Sequence, residues 1–107
     1  MVNVQRIQRD ELSHLAHQIT AALAYVVGIV PAPPPYDGAH ESQVIGAGVV
    51  IMPATQPLVI TCYIQVKDSV TCVSERCVIV QTLVAAITRR TLNRDVVVNV
   101  IVTDLLA

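Results

Sequence analysis

LVITCYIQVKDSVTCVSERCVIVQTLVAAITRRTLNRDVVVNVIVTD, residues 58–104, decides the fold. Its first nine residues alternate apolar with other side chains, the period-2 pattern of a strand. From residue 72 to about 91 the apolar residues recur at helical spacing instead: Val73, Cys77, Val80, Val84 and Ile87 make one face, and Val78, Ile79 and Leu83 widen it. That leaves Ser74, Glu75, Gln81, Thr82 and Thr88 to meet water or a partner. Many of these residues are β-branched, which weakens helix preference and makes a buried strand at 77–84 the rival reading. Length, with Glu75, Arg76, Arg89 and Arg90 as flanks, favours the helix. Arg89, Arg90 and Arg94 stand where cations complement a helix C-terminus, and Asn93 is the expected cap. Alternation returns over residues 96–103. Val96, Val98, Val100 and Val102 share one face; Val97, Asn99, Ile101 and Thr103 share the other. Apolar residues on both faces predict an inner position in the sheet or a covered outer face.

Working outward, residues 10–27 predict a first helix. Leu12, Leu15, Ala16, Ile19, Ala22, Leu23 and Val26 form its apolar stripe, Asp10 and Glu11 suit its first turn, and Gly28 is the expected stop. Residues 31–42 read as a Pro-rich loop, since Pro31, Pro33, Pro34 and Pro35 fix φ and remove backbone donors, and Asp37-Gly38 adds a turn. Residues 43–52 read as a strand interrupted by Gly46 and Gly48, where glycine marks a bulge or a close backbone approach. A turn at 53–57 then makes a hairpin with residues 58–66. Ser69 or Thr71 is placed to cap the second helix. The expected architecture is a single α+β domain over residues 1–107, with two helices packed on one face of a small three-stranded sheet in the order α-β-β-α-β.

Composition narrows the function classes. Of 107 residues, 53% are hydrophobic and 14% charged, against about 25% charged in typical soluble domains. The core must be aliphatic, because Phe and Trp are absent. Few aromatics and a net charge of −1 leave neither base-stacking platforms nor a basic field, so nucleic acid is not an expected partner. So little charge leaves apolar surface to be covered, which predicts a homo-oligomer. The polar stretch 1–10 predicts no secretory leader, and no apolar run reaches the roughly 20 residues of a spanning helix, so direct membrane insertion is not expected. An odd number of cysteines, Cys62, Cys72 and Cys77, fits free thiols in a reducing, cytoplasmic setting.

Chemistry-bearing groups are sparse. His14 and His17 lie three apart on the first helix, a spacing that can bring two imidazoles to one metal, with His40 in the loop as the remaining histidine. The cysteines show no C-x-x-C; Cys72 and Cys77, five apart, face different ways on a helix and read as small buried hydrophobes. Gly46-Ala47-Gly48 lacks the third glycine and following helix of a dinucleotide fingerprint. Glu75 with Arg76 and Arg94 with Asp95 read as surface ion pairs and caps. No catalytic residue, metal ligand set or cofactor is expected. Asn99 interrupts an apolar strand and is a candidate for fixing register or an interface, so Val97, Asn99 and Ile101 are the expected interface residues. Two rival readings remain open. One is a small enzyme whose site forms between subunits from His14, His17, Asp104 and the arginines; the other is a metal or thiol sensor using the three cysteines.

The order of elements resembles the alkaline-shock-protein family, envelope stress-response proteins of Gram-positive bacteria. Residues 7–30 look like the family's opening helix with its V-x-G-V turn, here Val26-Val27-Gly28-Ile29. Residues 58–66 look like its alternating strand. Residues 69–87 are similar to its second helix at Ser69, Val70, Val80, Gln81, Val84 and Ala86. Val98-Asn99-Val100-Ile101-Val102-Thr103-Asp104 resembles its closing V-n-V-x-V-x-D strand. The resemblance implies a non-enzymatic stress-response protein that assembles with itself and with a membrane-anchored partner at the inner face of the cell membrane.

Overall fold

A computed structural model describes residues 9–33, 44–46, 48–52, 57–67 and 73–106. The order is α1 (Arg9–Leu23), β1 (Ile29–Pro31), β2 (Val44–Gly46), β3 (Val49–Met52), β4 (Leu58–Lys67), α2 (Val73–Leu92) and β5 (Val96–Leu106). The fold is α+β, as expected, but among the described residues the sheet has five strands rather than three, and the element order is α-β-β-β-β-α-β.

The central strand is β4. Its alternation of buried and half-buried residues follows directly from the sequence pattern: Leu58, Ile60, Cys62, Ile64 and Val66 all point to the helix side. One edge of β4 carries two short strands end to end. β3 pairs antiparallel with Val59–Cys62, and β1 pairs antiparallel with Ile64–Val66. β2 continues outward from β3. The other edge of β4 carries β5, in parallel, after the α2 crossover.

β1 departs from the sequence pattern, in which Pro31 opens a loop. A proline cannot donate to a ladder, yet it is tolerated at a strand position where its nitrogen need not pair. Here Pro31 lies opposite Ile64, and the next amide, Ala32, donates to the Tyr63 carbonyl at 2.8 Å. The predicted single strand over 43–52 is two strands, because Gly48 turns the chain at φ +77°. A side chain at Gly48 is excluded: a Cβ there would lie 2.9 Å from Pro31 Cβ and 3.1 Å from the Tyr63 carbonyl. Gly48→Ala is therefore expected to destabilise by about 2 kcal/mol, from left-handed backbone strain plus the displaced β1–β3 junction. Urea unfolding measures this directly.

α1 ends at Leu23, before the predicted residue 27, and the chain turns through 24–28 with Gly28 at φ +86°. α2 ends at Leu92, one residue past the expected 91, and Asn93 follows in the expected cap position, with φ +53° and its amide donating to the Arg89 carbonyl at 2.9 Å. The caps proposed at Ser69 and Thr71, and the bulk of the Pro-rich segment, lie outside the described residues.

Both helices cover one face of the sheet. Leu12, Leu15, Ile19 and Leu23 from α1 and Val80, Val84 and Ile87 from α2 meet the inward residues of β3 and β4 in one aliphatic core. Thr91 Oγ1 donates to Gln18 Oε1 at 3.0 Å and ties the end of α2 to α1. On the opposite face Ala32, Val50 and Tyr63 form a smaller cluster with Met52 against it.

Two assignments on α2 are corrected. Thr88, expected to face water, is completely buried; its hydroxyl is satisfied by donating to the Val84 carbonyl at 2.8 Å, which lets a polar residue pack as if it were valine. Val78 and Ile79, expected to widen the buried face, are exposed. They lie on sides of the helix turned away from the stripe of Val80, Val84 and Ile87, so hydrophobic type alone misplaced them.

Candidate functional surface at the open edge of the sheet

β5 is the longest strand, 11 residues, and among the described residues it pairs only with β4. Among the described residues it is therefore an edge strand, and of the two positions expected from its apolar faces, inner or with a covered outer face, the inner one does not hold. Its burial alternates through Val102. Val96, Val98, Val100 and Val102 pack on the core, while Val97, Asn99 and Ile101 point outward and are exposed. The exposure of Val97 and Ile101 is 44% and 43%.

The regular part of the strand stops at Thr103. The β4–β5 register jumps there, from Ile64 opposite Val102 to Gln65 opposite Asp104. The Thr103 hydroxyl donates to the Ile64 carbonyl at 3.3 Å across the irregularity. An extra residue of this kind reverses which face the following side chains take.

Gln81 Nε2 on α2 donates to the Val98 carbonyl at 3.2 Å in a solvent-exposed hydrogen bond. That exposure places the Val98 carbonyl on the side of β5 away from β4. In an extended strand the N–H and C=O of one residue point to the same side and alternate along the chain. Val96, Val98, Val100 and Val102 therefore turn their backbone groups to the open side. The flank of α2 that holds Gln81 overhangs this edge. Val78, three residues earlier, and Ala85, four later, share that flank, and Val78 is 58% exposed. Apolar groups thus border the open backbone on both faces of the sheet. No charged side chain occurs between residues 96 and 103.

The other candidates separate. His14 and His17 are both exposed on the outer side of α1, and His40 lies outside the described residues. Among the described residues no three His, Cys, Asp or Glu side chains gather closely enough to hold a metal. Cys62 is buried in the core opposite Val49 and Val100; Cys77 is half-buried on α2; Cys72 lies outside the described residues. Burial pushes the Cys62 thiol from 9.0 up to about 12, so it is neutral at physiological pH and a poor nucleophile.

This shift has a stability consequence. The folded state holds the proton more tightly than the unfolded chain does. The contribution is complete below pH 9 and is lost as pH climbs toward about 12. Thermal melts at pH 8 and pH 11 are expected to show a marked alkaline loss, and Cys62→Ala, at some cost in packing, is expected to flatten it.

A shallow hollow of about 420 Å³ is lined by Pro57, Leu58, Arg94 and Asp95. Nearby, Arg89 and Asp95 form a surface ion pair at 3.3 Å. Asp104 lies ten residues from Arg94 along an extended strand, roughly 30 Å at about 3.3 Å per residue. Within one chain, Asp104 and Arg94 therefore stand at opposite ends of β5. Glu75 is exposed and Arg76 half-buried.

The fold and surface together define an α+β module whose one mixed sheet ends in an open, neutral, apolar-bordered strand. No protein-family model, no curated protein and no solved structure matches the chain. Among the described residues no helix is long and apolar enough to cross a membrane.

Proposed function

We propose that this protein is a non-enzymatic assembly module whose copies join through β5. The observation that carries the reading is that, among the described residues, the longest strand of the sheet is bonded on one side only, with apolar side chains beside its open backbone. An unpaired strand edge is a template for another strand, and natural proteins usually blunt such edges with charge, proline or covering loops. Residues 96–103 hold neither charge nor proline, and the Gln81 amide bonds the Val98 carbonyl at this open edge. Burial of aliphatic surface at about 25 cal/mol per Å² supplies the drive, and main-chain hydrogen bonds supply the geometry.

The resemblance of residues 98–104 and the flanking elements to envelope stress-response proteins extends the proposal to a membrane-anchored partner at the inner face of the cell membrane. Sedimentation equilibrium tests the first part. A mass that rises to a multiple of the chain mass with concentration supports assembly; a strict monomer at tens of micromolar removes it. Fractionation of expressing cells tests the second. Recovery with membranes, released by carbonate, supports the anchored partner; recovery wholly in the soluble fraction counts against it.

A further inference from the structure

We infer that two copies pair antiparallel along β5 with Asn99 on the two-fold axis. The inference rests on the assembly reading and specifies its register.

A two-fold dimer uses the same patch on both subunits, so the patch must be complementary to itself. On the outward face of β5 the order is Val97, Asn99, Ile101, an apolar–polar–apolar palindrome centred on Asn99. Centring the axis there sets Val97 against the second copy's Ile101, and the two Asn99 side chains against each other. On the core side Val96 meets Val102 and Val98 meets Val100. All seven residues of the regular stretch are used, and the pairing stops before the irregularity at Thr103. A register displaced toward the C-terminus would run the pairing through that irregularity and set Asp104 against valine.

The backbone agrees with this register. Val96, Val98, Val100 and Val102 present their N–H and C=O groups to the open side, so Val98 and Val100 of opposite copies exchange both hydrogen bonds. Asn99 then falls at a non-hydrogen-bonded pair, where the two Cα atoms come within about 4.5 Å and side chains are closest. A primary amide is both donor and acceptor, so two facing Asn99 amides satisfy each other reciprocally. The Gln81 amide, which caps the Val98 carbonyl in one chain, gives way to the Val100 N–H of the other copy. Val78, exposed on the overhanging flank of α2, comes toward the second copy's α2 and loses water there.

The test is disulfide trapping in a Cys72→Ser, Cys77→Ser background, with the mass of the unmodified protein measured in parallel. Cysteines directly opposite at a non-hydrogen-bonded pair meet the Cα separation that a disulfide needs. Asn99→Cys is expected to cross-link to a covalent dimer on mild oxidation. Val97→Cys and Ile101→Cys are expected to cross-link when mixed and not separately. Efficient trapping of Val97→Cys alone or Ile101→Cys alone would overturn the Asn99-centred register while leaving assembly standing. A monomeric unmodified protein would overturn both.

A second variant reads charge instead of proximity. Asn99→Asp sets two carboxylates against each other and is expected to weaken the dimer at least tenfold at pH 7, with recovery below about pH 4 as they protonate. Dimer strength in Asn99→Asp that is indifferent to pH would overturn the register.

Discussion

Ile101→Lys is expected to raise the dimer dissociation constant by at least about 100-fold while leaving the monomer folded. Symmetry places each substitution twice in one interface. Each copy loses an apolar contact with the other's Val97 and gains an ammonium that must stay hydrated. Two such losses at about 1.4 kcal/mol each account for the hundredfold change. Lysine on an edge strand is also the device by which natural sheets refuse further pairing. The monomer tolerates the change because Ile101 points away from the helices and is 43% exposed. Circular dichroism should match that of the unmodified protein while sedimentation shows the lighter species.

Ile60→Ala is expected to have the largest effect on folding, about 3 to 4 kcal/mol. Ile60 has no exposed surface and sits on the central strand, opposite Ile51 on one side and Val98 on the other. Truncation removes transfer free energy and leaves a cavity bounded by strands on both sides, which cannot both move in. Domains of this size are stable by about 5–15 kcal/mol, so the loss is a large share of the total. A melting temperature at least about 10 °C lower is the corresponding reading. Ile101→Ala, the same chemistry on the exposed face, should cost about 1 kcal/mol or less. The contrast between the two separates core burial from general loss of hydrophobic side chain.

Much of this architecture is legible in residues 58–104. β4 and β5 follow from alternation, α2 from its stripe, and its end from Asn93. The strands that periodicity missed are the short ones. β1 has three residues, too few for a period, and one of them is a proline that pairing at a single backbone position can accept. β2 and β3 look continuous because the turn between them depends on the positive φ of Gly48, which a sequence pattern does not display.

The edge position of β5 was hidden for a different reason. Val97 and Ile101 read as covered residues, and in one chain nothing described covers them. Both are apolar on a face that the described part of one chain leaves open, so residue type did not report the position of the strand in the sheet. Val78 and Ile79 carry the same lesson on α2. Thr88 carries the reverse, a polar letter at a buried position made possible by its bond to Val84.

Val97, Asn99 and Ile101 were legible as a candidate interface from one irregularity, an asparagine set among valines and an isoleucine. The contribution of Gln81 was not, because nothing in helical spacing shows that its amide reaches the Val98 carbonyl 17 positions away.

The most direct measurement of whether β5 is covered is amide hydrogen exchange, followed residue by residue at protein concentrations below and above the dissociation constant. The Val98 and Val100 amides are expected to exchange freely in dilute protein and to slow strongly when it is concentrated. The Asn99 and Ile101 amides, turned toward β4, should stay slow throughout. Equal, fast exchange at Val98 and Val100 at both concentrations would contradict the account.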